Sequence, residues 1–165
     1  LSAHTFSGTN DVVNNSITLA TATDIGGAGS GTLGGVISGS GIALTKVGAG
    51  TITLSGANTY SGGTALNGGT INIGISSTGS ITNGPLGTGT LTFNGGTLTS
   101  NGAFSIANPF AVTASSSGTI GGTISLTLSG NGTLNSSSTL NIVNTAGAIA
   151  LNGNLSGAGA LSQNG

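Results

Sequence analysis

Short apolar bursts, alternating with Thr, Ser or Asn, recur along the whole chain. Thr51-Ile52-Thr53-Leu54, Thr70-Ile71-Asn72-Ile73 and Leu91-Thr92-Phe93 are the clearest of them. A period of two sends successive side chains to opposite faces of a strand. Ile52, Leu54, Ile71, Ile73, Leu91 and Phe93 are therefore expected to point into a core in vertical ladders, with the intervening Thr and Asn facing solvent. No 3.6-residue period competes, so the pattern predicts strands and no helices. Between Leu44 and Ile73 the bursts are separated by Gly-Ala-Gly, Ser-Gly-Ala-Asn, Ser-Gly-Gly and Asn-Gly-Gly, which end strands and turn the chain. Gly50, Gly62, Gly63, Gly68, Gly69, Gly95 and Gly96 are accordingly expected at corners that call for positive φ.

The bursts also keep a longer rhythm. A Gly-Thr-Leu/Ile triplet recurs at Gly31, Gly50, Gly69 and Gly89, at intervals of 19, 19 and 20 residues. A fixed period of about 20 marks one coil of a stacked repeat, and about eight such coils would stand about 40 Å tall at the usual strand spacing. The segment Leu66-Asn67-Gly68-Gly69-Thr70-Ile71 returns as Phe93-Asn94-Gly95-Gly96-Thr97-Leu98. Pro85 and Pro109 cannot donate to a ladder and belong in corners or outward loops. Residues 1–33 are the least regular, with two or three strands around Phe6, Val12-Val13 and Ile17/Leu19.

A further echo relates Ile37-Ser38-Gly39-Ser40-Gly41 and Ala43-Leu44-Thr45 to Leu155-Ser156-Gly157-Ala158-Gly159-Ala160-Leu161-Ser162. On that basis residues 1–165 form a single solenoid domain, with 34–154 one large repeat unit and 155–165 the start of a second. The closing Leu161–Gly165 then stops in mid-motif, an unfinished coil whose edge would recruit another. Seven Asn-Gly pairs keep a rival open, an antiparallel β-sandwich of hairpins.

Composition narrows the chemistry. Only 2% of the residues are charged, against about 25% in ordinary soluble domains. The 34 glycines would ruin regular elements if spread evenly, so they are expected between stacked aliphatics. With one cation and no Arg the chain is a poor partner for nucleic acid or an anionic membrane surface. No apolar run approaches the length of a membrane-spanning helix, and the absence of Cys excludes disulfides and thiolate metal sites.

Leu44 to Ile73 carries a family resemblance. Leu44-Thr45-Lys46, Gly48-Ala49-Gly50-Thr51-Ile52-Thr53-Leu54-Ser55-Gly56, Ala57-Asn58-Thr59-Tyr60, Ser61-Gly62-Gly63-Thr64 and Asn67-Gly68-Gly69-Thr70-Ile71-Asn72-Ile73 follow one another in the order of the autotransporter-associated β-strand repeat. The stretch resembles that family, found in autotransporter passenger domains and in very large bacterial surface proteins. The resemblance implies a right-handed parallel β-solenoid outside a bacterial cell, with no enzymatic activity, whose repeats assist secretion by folding one coil after another.

Candidate reactive groups are few. His4, Asp11 and Asp24 are the groups besides Lys46 able to do acid–base work near neutral pH, and nothing in their spacing builds a nucleophile, base and orienting group. Glu is absent, and Asp11 and Asp24 lie in different loops, so no carboxylate pair for glycoside hydrolysis is expected. Gly29-Ser30-Gly31-Thr32-Leu33-Gly34 matches a phosphate-binding pattern in a chain where glycine makes such matches common, and no helix follows it. No catalytic residue, metal site or cofactor is expected. Lys46, Asn58 and Tyr60 are family-matched. Lys46 reads as a solvated corner residue, or alternatively as a charge that discourages misregistered pairing. Tyr60 reads as a ring over a corner with its hydroxyl in water. Sequons at Asn14, Asn131, Asn135 and Asn154 are expected by chance in so Asn-, Ser- and Thr-rich a chain.

The function these readings support is structural: an extracellular bacterial stalk or self-stacking fibre, extended head to tail or by covalent continuation into further repeats. The alternative is an adhesin module whose flat faces bind carbohydrate or another cell surface. Short corners favour the first, because binding solenoids carry long insertions.

Overall fold

The computed structural model describes residues 3–164, and among these it is all β with no helix. Twenty-one strands, numbered in chain order, wind as a solenoid. The first face is an eight-stranded parallel sheet of β1 (Ala3–Thr5), β4 (Thr23–Gly26), β7 (Leu44–Val47), β9 (Thr64–Leu66), β11 (Leu91–Phe93), β14 (Phe110–Val112), β17 (Gly132–Leu134) and β20 (Leu155–Gly157). The second is also eight-stranded and parallel: β2 (Asp11–Val13), β5 (Gly31–Leu33), β8 (Thr51–Leu54), β10 (Thr70–Ile73), β12 (Thr97–Ser100), β15 (Ser117–Gly122), β18 (Thr139–Asn144) and β21 (Ala160–Gln163). The third face is split into β3 (Ile17–Thr18) with β6 (Ile37–Ser38), and β13 (Phe104–Ile106) with β16 (Leu126–Leu128) and β19 (Ile149–Leu151).

Each coil visits the faces in turn and rests on its neighbours. Successive offsets on the first sheet are 21, 20, 27, 19, 22 and 23 residues from Thr23 to Leu155. Every pairing between named strands is parallel, so the hairpin sandwich is wrong. Among the described residues no Asn-Gly pair closes a hairpin, and one isolated antiparallel bridge, Asn58 to Gly84, stands apart.

The core lies between the faces as stacked files. Ile52, Ile71, Leu98, Ile120 and Ile142 form one, and Leu33, Leu54 and Ile73 another. The alternation reading put Leu91 and Phe93 in line with Ile52, Leu54, Ile71 and Ile73. All six are fully buried, but Leu91 and Phe93 belong to the opposite sheet, above Thr64 and Leu66. The triplet rhythm misled here. Gly50-Thr51-Ile52 stacks on Gly69-Thr70-Ile71 and then on Gly96-Thr97-Leu98, while the Gly89 triplet leads into the first sheet. The return of Leu66–Ile71 as Phe93–Leu98 is the true register.

Residues 3–33 contain five strands in register with the rest, more than the two or three expected. The corner glycines divide by cause. Gly63, Gly69, Gly95 and Gly96 take positive φ, whereas Gly50, Gly62 and Gly68 do not, and a Cβ on Gly50 would run into the Gly29 carbonyl oxygen. At Gly50 it is close coil-to-coil approach, not backbone hand, that demands glycine. The 37/155 echo falls on different faces, Ile37 on the third and Leu155 on the first. Gly165, at the end of that echo, lies outside the described residues.

Candidate functional site

Three features stand out from the stack: an internal ammonium, a clamped excursion on the third face, and the flat outer surface of the second sheet.

Lys46 occupies an inward position of β7, between Ile25 below and Leu66 above, and is fully buried. The reading as a solvated corner residue was wrong. In Leu44-Thr45-Lys46-Val47 the strand alternation sends Leu44 and Lys46 to the same side, and the long stem reaches along the core to a corner. There Nζ donates to the carbonyls of Val47 (2.9 Å), Gly48 (3.0 Å) and Gly68 (3.2 Å), joining two consecutive coils. A Cβ on Gly69 would stand 2.7 Å from Nζ, so the neighbouring glycine makes room for the ammonium. Burial pushes the Lys46 pKa below its ordinary value.

Asn58 and Tyr60 are likewise fully buried, and the expectation of a water-exposed tyrosine hydroxyl fails. Asn58 Oδ1 accepts from the Ile37 amide (2.8 Å) and Nδ2 donates to the Pro85 carbonyl (2.7 Å). The Tyr60 hydroxyl lies 2.6 Å from Thr64 Oγ1, which donates onward to the Leu86 carbonyl (3.0 Å). Thr64 therefore spends its one proton on Leu86, and Tyr60 is the donor to Thr64. Burial raises the Tyr60 pKa.

These bonds grip a segment longer than its counterpart in any other coil. Residues 74–90 leave the second sheet, loop outward and return, which accounts for the 27-residue offset and for the split of the third face. The expectation of short corners throughout is thus corrected. The return leg is held from the other side by Asn108, also fully buried, whose Nδ2 donates to Gly87 (3.1 Å) and Gly89 (2.8 Å). In the sequence Asn108 is marked only by its place before Pro109. An amide beside a proline, within a chain that stacks its corners, was the signal available.

The outer surface of the second sheet carries two files of side chains. One runs Thr51, Thr70, Thr97, Thr119 and Asn141; the other runs Val12, Thr32, Thr53, Asn72 and Thr99. Asn72 ties the second file along the stack, donating to Thr53 Oγ1 (3.4 Å) and accepting from Thr99 Oγ1 (3.1 Å). A cavity of about 190 Å³ opens over the first coils, lined by Asn10, Ser30, Gly31, Thr32, Thr51 and Thr53.

The reactive groups do not converge. His4 packs edge-on against Phe6 with ring centroids 4.6 Å apart, Asp11 begins β2, and Asp24 faces outward from the first sheet. Among the described residues no three potential metal ligands cluster.

Residues 44–73, which contain Lys46, Asn58, Tyr60 and Thr64, match the passenger-associated-transport-repeat family model. Residues 44–73 are thus similar to a passenger-associated transport repeat. In this repeat the polar residues that resist a core reading turn out to be its internal fastenings. The adhesin BmaC autotransporter of Brucella suis biovar 1 (strain 1330) is 38% identical to the chain over 116 residues, 70% of this chain. The match spans 3% of that relative's length. No solved structure matches the chain. Its register is consistent with the passenger repeat as one coil-and-a-half of a longer stack, since residues 44–73 take in β7 to β10.

Proposed function

We propose that this chain is a non-catalytic rod segment of an exported bacterial passenger, displayed outside the cell and continued by further coils. The observation that carries the reading is the pair of parallel sheets running unbroken through all eight coils. Each coil offers its whole backbone ladder to the next, so the stack is stiff along its axis and extends by repetition. The passenger repeat and the much longer adhesin relative support display at the surface and covalent continuation. Dispersed His4, Asp11 and Asp24 support the absence of catalysis. Tandem arrays of one, two and three copies, displayed on bacteria and imaged by electron cryomicroscopy, should lengthen by about 40 Å per copy, eight strand spacings. Arrays that do not lengthen stepwise would overturn the rod. Sedimentation of the single chain separates the two modes of extension: a monomer over a hundredfold concentration range supports covalent continuation, and concentration-dependent fibres support head-to-tail stacking.

A second reading, adhesion, is favoured by one feature of the surface. The outer files of the second sheet are broad, regular and free of charge, a surface suited to contact and not only to support.

A further inference from the structure

We propose that the outer face of the second sheet binds a neutral, extended β-linked polysaccharide lying along the stack, one sugar ring per coil. This rests on the adhesive reading and names its partner; the rod reading survives its failure.

Charge selects the class of ligand. Of the four side chains able to carry charge near neutral pH, Lys46 is inside the solenoid, His4 and Asp24 belong to the first sheet, and Asp11 is exposed at the start of β2, in register with Gly31, where its negative charge opposes an anionic ligand. The two outer files therefore contain only hydroxyls, amides, methyl groups and the exposed Val12. Such a surface offers nothing to anchor a sulfate, phosphate or carboxylate, and a polyanion would lose hydration with no counter-charge gained. A neutral polyol meets donors and acceptors of its own kind.

Geometry selects the shape. Coils repeat about every 4.8 Å, close to the advance of one pyranose in an extended β-linked chain, so successive rings meet successive members of the two files. The two files stand two residues apart on each strand, about 6.6 Å, which spans the width of a sugar ribbon. The Asn72 bonds to Thr53 and Thr99 hold the middle of this surface in one arrangement before any ligand arrives, which lowers the ordering cost of binding.

A second observation lies on the same face. The 190 Å³ cavity sits between the two files, with Ser30 and Thr51 on one side and Thr32 and Thr53 on the other. Asn10 closes its end with φ at +66°, and the adjoining Val12 is 59% exposed. Hydroxyls and an amide around an apolar side chain suit the equatorial hydroxyls and the C–H face of a pyranose. The cavity anchors one ring, and the files above it carry the rest.

The test uses the full chain, titrated by isothermal calorimetry and by amide chemical shifts with cellobiose, cellotetraose and cellohexaose. Affinity should rise with each added sugar, and shifts should map to β5, β8, β10 and β12. Thr53→Val, which keeps shape and strand preference, should weaken cellohexaose about tenfold, the loss of about one hydrogen bond, at unchanged melting temperature. Thr32→Val provides the same reading should the first variant fold poorly. Thr92→Val, on the outer side of the first sheet, should leave binding unchanged. Heparin hexasaccharide should not bind. No binding at any length, equal losses from Thr92→Val, equal affinity for heparin, or concentration-dependent pairing of the chain through this face would each overturn the proposal.

Discussion

At the scale of single residues the decisive fact is where the few titratable groups sit. Lys46 is buried among aliphatic side chains, with three carbonyls for partners and no carboxylate beside it. Its native pKa therefore lies below the ordinary 10.5, and that of buried Tyr60 lies above the ordinary 10.0. The consequences have opposite signs. Between its lowered native value and 10.5, Lys46 is deprotonated in the native state while the unfolded chain still holds the proton, so stability rises with pH. Above about 10 the unfolded chain loses the Tyr60 proton while the native state keeps it, so stability falls. The composition alone argued for a flat profile from pH 5 to 9; the buried ammonium makes it climb from the lowered Lys46 value toward 10.5, and the buried tyrosine turns it over above about 10. Melting temperatures measured from pH 6 to 11 check this, and Lys46→Met should abolish the climb while leaving the fall. A Lys46→Met profile that still climbs would place the rise elsewhere. At neutral pH the same substitution gives up three charge-assisted hydrogen bonds, and it should cost about 2 kcal/mol or more after the relief of burying no charge.

At the scale of the element, the strands were legible and the fastenings were not. Alternation of Ile, Leu and Thr picked out β8 and β10 residue by residue, because a half-buried strand has only two faces to choose between. The same rule, applied without regard to polarity, would have placed Lys46 inward. Charge outweighed period in the reading, because a buried lysine is rare and nothing local in the sequence names the carbonyls of residues 48 and 68 as partners. Asn58 and Tyr60 were invisible for a similar reason. Pro85, which accepts from Asn58, and Leu86, which Tyr60 reaches through Thr64, belong to the 74–90 excursion, and no local pattern shows that it folds back on them. The flat Thr and Asn files were legible as a surface, and the return of Leu66–Ile71 as Phe93–Leu98 carried their register across the 27-residue offset where the triplet rhythm did not.

Two substitutions test the element-scale account. Asn58→Ala strands the Ile37 amide and the Pro85 carbonyl in a dry corner and should cost about 2–4 kcal/mol in urea unfolding, at roughly 1–3 for each unpaired group. A loss below about 0.5 kcal/mol would mean that water or a shifted corner replaces both bonds. Ser100→Val runs the other way. Ser100 continues the inward file above Ile73, and its buried Oγ has no hydrogen-bond partner. An apolar side chain only one carbon larger removes that cost, so the variant should gain about 1 kcal/mol.

At the scale of the whole molecule, the solenoid is a line of nearest neighbours, with every strand pairing linking adjacent coils. Damage should therefore stay local in space yet cut the line in two. Ile71 in the fourth coil is the sharpest place to cut, fully buried between Ile52 and Leu98. Ile71→Asp puts a carboxylate into an apolar file with no hydrogen-bond donor among its stacked neighbours, at a cost of several kcal/mol. Three coils remain below the break and four above. About three repeats is the least that such stacks sustain, and the lower three include the sparsely covered first coil, where Val12 is exposed. Hydrogen exchange of Ile71→Asp should then show amides of β1 to β8 unprotected, while those of β14 to β18 keep their protection. The outward substitution Val143→Asp, at a position already 38% exposed, should leave protection unchanged throughout. Uniform loss of protection in Ile71→Asp, upper coils included, would show that the eight coils fold as one indivisible unit, and the nearest-neighbour description would have to be given up.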